Sequence, residues 1–226
     1  MNKISIFWFR RDLRLNDNAG LYHALKSGNT ILPIFIFDKD ILDKLSNKGD
    51  LRVNFIHKVI SDLKRELNNL GSDLAVFYGK PLNVFKELSQ KYAISAVFTN
   101  HDYEPYAINR DLEVKDFLMS KTIDFKSFKD QVIFEKDEIV KDDGKPYVVY
   151  TPFSKAWKNK LNAYYLKPYP NSKYFNNFIK VDEKQELISL AEMGFEYKDF
   201  QFPANETSVG IIKKYGETRD FPAIIG

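Results

Sequence analysis

The chain has 226 residues, 44% hydrophobic and 15% aromatic, with a formal net charge of +3; this suffices for a sizeable core in one ordinary domain, and the charge alone does not imply nucleic acid. There is no cysteine, and His23, His57 and His101 sit in no metal-ligand spacing, which excludes a disulfide framework and thiolate metal sites and argues against any metal. No apolar run reaches membrane-spanning length and the amino terminus lacks a signal peptide's basic start and apolar centre, so a cytoplasmic protein without membrane contact is expected.

Ile4 to Phe9 is apolar with no polar alternation, the pattern of a strand buried on both faces, and it runs into the charged string Arg10-Arg11-Asp12-Leu13-Arg14. Asn16 or Asp17 can cap a short helix over 17–26, and Thr30 to Phe37 reads as a second strand. Residues 51–70 carry apolar positions at helical spacing, with Asp50 as a cap and Gly71 as the stop. Next come a strand over 74–78, a helix over 82–92 opened by Pro81, a strand over 96–99, a helix over 105–119 and a strand over 123–128. Five short strands separated by helices require parallel pairing through right-handed crossovers. The expected fold is therefore α/β: a doubly wound five-stranded parallel sheet, Rossmann-like but without GxGxxG.

The remainder is less regular. Asp142-Asp143-Gly144-Lys145 between Val140 and the run 147–150 predicts a hairpin, closed by Pro152 and followed by a helix over 153–165. Beyond Lys167 the prolines 168 and 170 mark a linker, with helices around 183–191 and 206–215. The expected division is a sheet domain over 1–130, a hairpin and helix completing it over 131–166, and a linker over 167–226.

Function in such a sheet comes from its loops. The absence of both GxGxxG and a Walker sequence argues against a dinucleotide dehydrogenase or a nucleoside triphosphatase. Instead the strand ends carry Arg10 to Asp12, Asp38, and Asn100 to Glu104, which converge in one crevice if strand order reverses beside the first strand. The three guanidiniums of Arg10, Arg11 and Arg14 need carboxylate or phosphate partners. Arg110-Asp111 reads as an ordinary solvated pair, and His57 as a surface group of a helix.

Several strings together carry a resemblance. Phe7-Trp8-Phe9-Arg10-Arg11-Asp12-Leu13-Arg14-Leu15-Asn16-Asp17-Asn18 resembles the opening signature of the DNA photolyase and cryptochrome family. In the family's order follow 33–38 (PIFIFD), 52–56 (RVNFI), 100–106 (NHDYEPY) with Arg110-Asp111, 128–134 (FKDQVIF), 144–153 (GKPYVVYTPF) and Ala156-Trp157. The match covers the antenna-side domain and continues loosely to Arg219-Asp220-Phe221-Pro222, which is similar to the approach to the family's flavin-binding domain. The family's Thr-Ser-x-Leu-Ser stretch, which grips the flavin pyrophosphate, does not follow. The chain therefore reads as the amino-terminal part of a longer protein whose FAD-binding domain lies outside it.

The resemblance implies a light-harvesting chromophore in the crevice: methenyltetrahydrofolate, a deazaflavin or FMN. Phe35 and Phe37 would touch a flat ring, although a sheet-core role competes for whichever points inward. Asp38, Asp102 and Glu104 would accept hydrogen bonds from ring nitrogens, and Arg10, Arg11 or Arg52 would meet a carboxylate or phosphate tail. Glu104 is the firmest transfer, from a Tyr-Glu pair that contacts the pterin in folate-binding relatives. No catalytic residue is expected within the chain. The parent resembles a deoxyribodipyrimidine photolyase, a flavin-dependent lyase that repairs pyrimidine dimers in damaged DNA by electron transfer from FAD.

From Thr151 to Val181 there are six lysines and no acidic residue, interleaved with aromatics. Lys155, Trp157, Lys158 and Lys160 are accordingly candidates for DNA or interdomain contact, with packing against the FAD-binding domain favoured over phosphate binding. Without that partner, the tail's aromatics are expected to be uncovered and partly loose. Two other functions fit the same strings: a photosensory cryptochrome, and a plain nucleotide-binding or interaction module of α/β type.

Overall fold

The computed structural model describes residues 3–201 and 208–220. The five strands are β1 (Ile4–Phe9), β2 (Thr30–Asp38), β3 (Ala75–Gly79), β4 (Ile94–Asn100) and β5 (Asp124–Phe128). All pair in parallel, in the order β3-β2-β1-β4-β5. The order reverses between β1 and β4, so the chain winds outward from the centre in both directions, as expected of a doubly wound sheet.

The central strands explain the unbroken apolar runs. Phe7 and Phe9 of β1 and Ile31, Phe35 and Phe37 of β2 enter one core, which also holds residues of α1 (Ala19–Leu25) and α3 (Leu51–Asn69). Ile4, Ile6 and Trp8 with Leu32, Ile34 and Ile36 enter the other, against α4 (Pro81–Lys91) and α5 (Pro105–Ser120). A short helix α2 (Lys39–Leu42), not anticipated from the sequence, follows β2 directly. Asp38 caps it, accepting from Asp40 N at 3.0 Å.

Helix boundaries follow their caps. Asp50 caps α3, and Gly71 (φ +74) terminates it in a conformation that L side chains rarely adopt. Helix α1 begins later than predicted. Asn18, extended at φ −119, accepts from Leu21 N at 3.0 Å and so takes the capping position, while Asp17 sits at φ +48 outside the helix.

Three expectations after the sheet are corrected. The turn at 141–145 forms, with Lys141 N donating to Lys145 O at 2.9 Å, but no hairpin follows. The chain instead enters α6 (Tyr150–Lys160), which starts before and ends five residues short of the 153–165 expected. Pro152 falls inside the first turn, where a backbone N–H has no intrahelical acceptor to lose. Residues 183–191 are not helical; Leu190, Met193 and Phe195 reach the core from a tight turn whose Gly194 has φ +78.

The tail also does not stand off from the domain over its first part. A 3₁₀ helix (Asn171–Asn177) packs on α1, Phe178 is buried, and Ile179 N donates to Ile31 O at 2.8 Å at the start of β2. The aromatics there thus have a cover within the chain. Helix α7 (Val209–Thr218) buries none of its residues. The start of the predicted 206–215 helix, and Phe221-Pro222, lie outside the described residues.

Candidate functional site

A buried polar knot holds the end of β1. The Asp12 carboxylate, only 3% exposed, accepts from Arg10 N (2.9 Å), Asn18 Nδ2 (3.0 Å) and Asn100 Nδ2 (2.5 Å). Asn100, at the tip of β4, accepts at its Oδ1 from Gly20 N at 2.7 Å. Gly20 is required there, because a Cβ would lie 2.6 Å from Asn100 Oδ1 and 3.0 Å from Thr99 O. The knot ties β1, β4 and α1 together at the point where strand order reverses.

Asp12 therefore neutralises none of the neighbouring guanidiniums, which reach carboxylates elsewhere. Arg10 Nη1 meets Asp111 at 2.6 Å and its other terminal nitrogen donates to Asn100 O. Arg11 Nε lies 3.3 Å from Asp102, with Glu104 3.8 Å from its terminal nitrogen, and Arg14 meets Asp130 at 2.9 Å. Burial pulls Arg10 below the usual arginine range, and Asp111 opposes that shift.

Beside this knot, a hollow of about 230 Å³ opens beyond the carboxyl ends of β1 and β2 and the loop after β4. Phe35, Phe37 and Trp8 line it, together with Ile41 of α2 and Ile56 of α3. Both phenylalanines serve the core as well; they are buried, with ring centroids 4.9 Å apart at 81°. Arg10, Arg11, Asp38, Asp102 and Glu104 bring polar groups to the same hollow. Arg52 does not take part: its side chain is 76% exposed and pairs with Asp50 at 2.6 Å, drawing that carboxyl down to about 2.

Two lining residues went unrecognised in the sequence. Tyr106 donates to Asp38 Oδ2 at 2.7 Å. Burial pushes the Asp38 carboxyl up from its ordinary value, opposed by that hydrogen bond, and burial and Asp38 together push the phenol up. Arg110, read above as solvated, is the other: its side chain is 9% exposed, it pairs with Asp111 at 2.9 Å, and its guanidinium lies 4.9 Å from the Trp8 ring centroid. Both residues sit in the first turns of α5, one helical turn apart, directly after the charged loop. That spacing was the available signal.

The other candidates lie elsewhere. Lys155 and Lys158 are exposed on α6, whereas Trp157 is half-buried against Phe134 at 5.6 Å and Lys160 Nζ donates to Glu138 O at 2.5 Å. His57 binds Ile188 O at 2.8 Å and so fastens the tail to α3. A larger, open groove of about 800 Å³ runs between Arg14, Lys129 and the tyrosines 164, 165 and 169. The smaller hollow is the better candidate, because apolar walls with a few converging polar groups at the sheet's switch point are what a planar ligand needs. Among the described residues no group of three or more His, Asp or Glu could hold a metal, and no helix is long and apolar enough to cross a membrane.

The family model for DNA photolyase matches residues 5–173. This chain belongs to the DNA photolyase family. A deoxyribodipyrimidine photo-lyase from Synechococcus is 29% identical over 98% of the chain and 48% of that protein. A class III photolyase structure from Agrobacterium tumefaciens superposes on 96% of the chain with a TM-score of 0.69 at 22% identity, and shows the shared fold. An archaeal photolyase structure from Sulfolobus tokodaii, described with two FAD molecules and a novel light-harvesting cofactor, covers 61% of this chain and 32% of its own at 34% identity, TM-score 0.56. The chain spans about half the length of the curated photolyases it matches.

Proposed function

We propose that this photolyase-family chain is the chromophore-holding part of a deoxyribodipyrimidine photolyase, and that the hollow at the ends of β1, β2 and β4 seats the ring of a light-harvesting pigment. The observation that carries this is the convergence of Phe35, Phe37 and Trp8 with Asp38, Asp102, Glu104 and Arg11 around one space. Aromatic and aliphatic walls favour a flat apolar ring, while the carboxylates accept from ring N–H groups and the arginine meets an anionic tail. A hollow of about 230 Å³ fits a ring but not a long tail, which would pass the exposed rim of Arg11 and Glu104.

In this reading the pigment supplies absorbed light as excitation energy, passed to FAD in a further domain that performs dimer repair on DNA. The chain's own residues bind and orient the pigment and contribute no catalytic group. A flavin or deazaflavin is favoured over a folate, since the Sulfolobus tokodaii relative carries two FAD molecules. Lys155 and Lys158, with exposed Val148 and Tyr150 nearby in sequence, form the surface that meets that further domain or DNA.

The test is a titration of the purified chain with FMN, a deazaflavin and methenyltetrahydrofolate, read by near-ultraviolet and visible spectra. One saturable site with a perturbed absorption band is expected for at least one of them. Unperturbed spectra with all three would refute the assignment.

A further inference from the structure

Trp8 is the one indole beside the hollow, 1% exposed and part of its wall. An electron-rich indole next to a light-absorbing ring is a hazard. Excitation can be lost when one electron passes from the indole to the excited ring; no bond is made or broken, the indole becomes a radical cation and the ring a radical anion. Return of the electron then dissipates the energy as heat.

The surroundings of Trp8 oppose that step. The Arg10 guanidinium lies 5.1 Å and the Arg110 guanidinium 4.9 Å from the indole centroid. Both are largely buried, with side chains 7% and 9% exposed, so water screens them weakly. They share the one carboxylate bonded to them, Asp111; Asp102, which pairs with Arg11, also acts on Arg10, and Asp38 acts on Arg110. Both guanidiniums lie over the indole, with only that shared carboxylate in direct contact with them. A neutral indole gains from cations over its face, whereas a positively charged indole radical is repelled by them. Packing alone would not demand this: Phe85 already contacts the indole edge-on at 5.1 Å.

We infer that Arg10 and Arg110 hold Trp8 against photo-oxidation and so preserve the excited state of a ring bound in the hollow. The inference rests on the chromophore reading above and adds to it the reason for two buried guanidiniums at an apolar wall. Arg110 is the better residue to perturb, because Arg10 also ties β1 to β4 through Asn100.

The experiment measures the fluorescence lifetime of lumiflavin, the bare ring, bound at saturation to the full chain. All chains carry Tyr106→Phe, which removes the neighbouring phenol as a second electron donor. Arg110→Gln should shorten the lifetime by roughly tenfold, Arg110→Lys should keep it within about twofold because the charge remains, and Trp8→Phe added to Arg110→Gln should restore it. An unchanged lifetime in Arg110→Gln, or a shortening that persists in the Trp8→Phe chain, overturns the inference while leaving the binding site standing. Failure of lumiflavin to bind any chain removes the flavin reading and the inference together.

Discussion

Replacing Asp12 with alanine tests whether the strand-end knot holds the site in place. The carboxylate accepts three hydrogen bonds at 2.5–3.0 Å in a nearly dry setting. Bonds to a charged group contribute about 1.5–3 kcal/mol each. They do not simply add, because Asn18 Nδ2 retains Asp12 O at 3.2 Å and Asn100 Nδ2 retains Asn18 Oδ1 at 2.8 Å. Arg10 N loses its acceptor outright. The expected loss is about 3–4 kcal/mol, a large share of the roughly 5–15 kcal/mol typical of a folded domain. At about 2–4 °C per kcal/mol for a chain of this size, the melting temperature should fall by roughly 6–16 °C. Urea unfolding followed by far-ultraviolet circular dichroism and tryptophan fluorescence gives the number. Asp12→Asn, which keeps one acceptor oxygen, should lose about half as much. A loss below about 1 kcal/mol in Asp12→Ala would refute the claim that the knot is structural.

Other sites yield further expectations. Gly20→Ala forces a Cβ against Asn100 Oδ1 and Thr99 O and should destabilise by about 1–3 kcal/mol in the same urea assay. Lys64→Met strips the buried Asp73 of the ammonium 2.6 Å away and should cost about 3 kcal/mol or more, read as a lowered urea midpoint. For the loop 129–138, burial raises Glu135 and Glu138, but hydrogen bonds from Tyr103 and His101 to the first, and from Lys129 to the second, leave both below their ordinary value of 4.5. A carboxylate depressed in the folded state contributes stability present above its unfolded value and lost as pH falls through the folded one. Amide protection factors over 129–138, corrected for the intrinsic pH dependence of exchange, should therefore fall selectively below about pH 4.5, and constant protection there from pH 7 to 4 would contradict those tethers.

The sheet was legible because β1 and β2 are buried on both faces, which their unbroken apolar runs record residue by residue. Helix ends were legible where one residue type has one physical use, as at Asp50, Gly71 and Pro81. The tail was not. Leu187, Ile188 and Leu190 have helix-like spacing, yet they meet a core already built by other elements, and Ser189 and Glu192 close a turn instead. Tertiary contact decided the outcome where local preference was weak. Similarly, Arg110 next to Asp111 looks like any surface pair until α5 is known to lay that face over Trp8. The hollow's charged members were readable because the ends of parallel strands gather whatever the loops carry. Arg52 failed as a member because its first-turn position on α3 lets it pair locally with Asp50.

The central claim is that the strand-end hollow seats a planar pigment. Amide chemical shifts of the isotope-labelled chain, recorded with and without FMN, test it most directly. The account expects saturable shifts confined to the ends of β1 and β2, to α2 and to the first turns of α5, around Phe35, Asp38, Ala107 and Arg110. Shifts clustered instead about the groove at Tyr164 to Pro170, or no shifts at all, would contradict it.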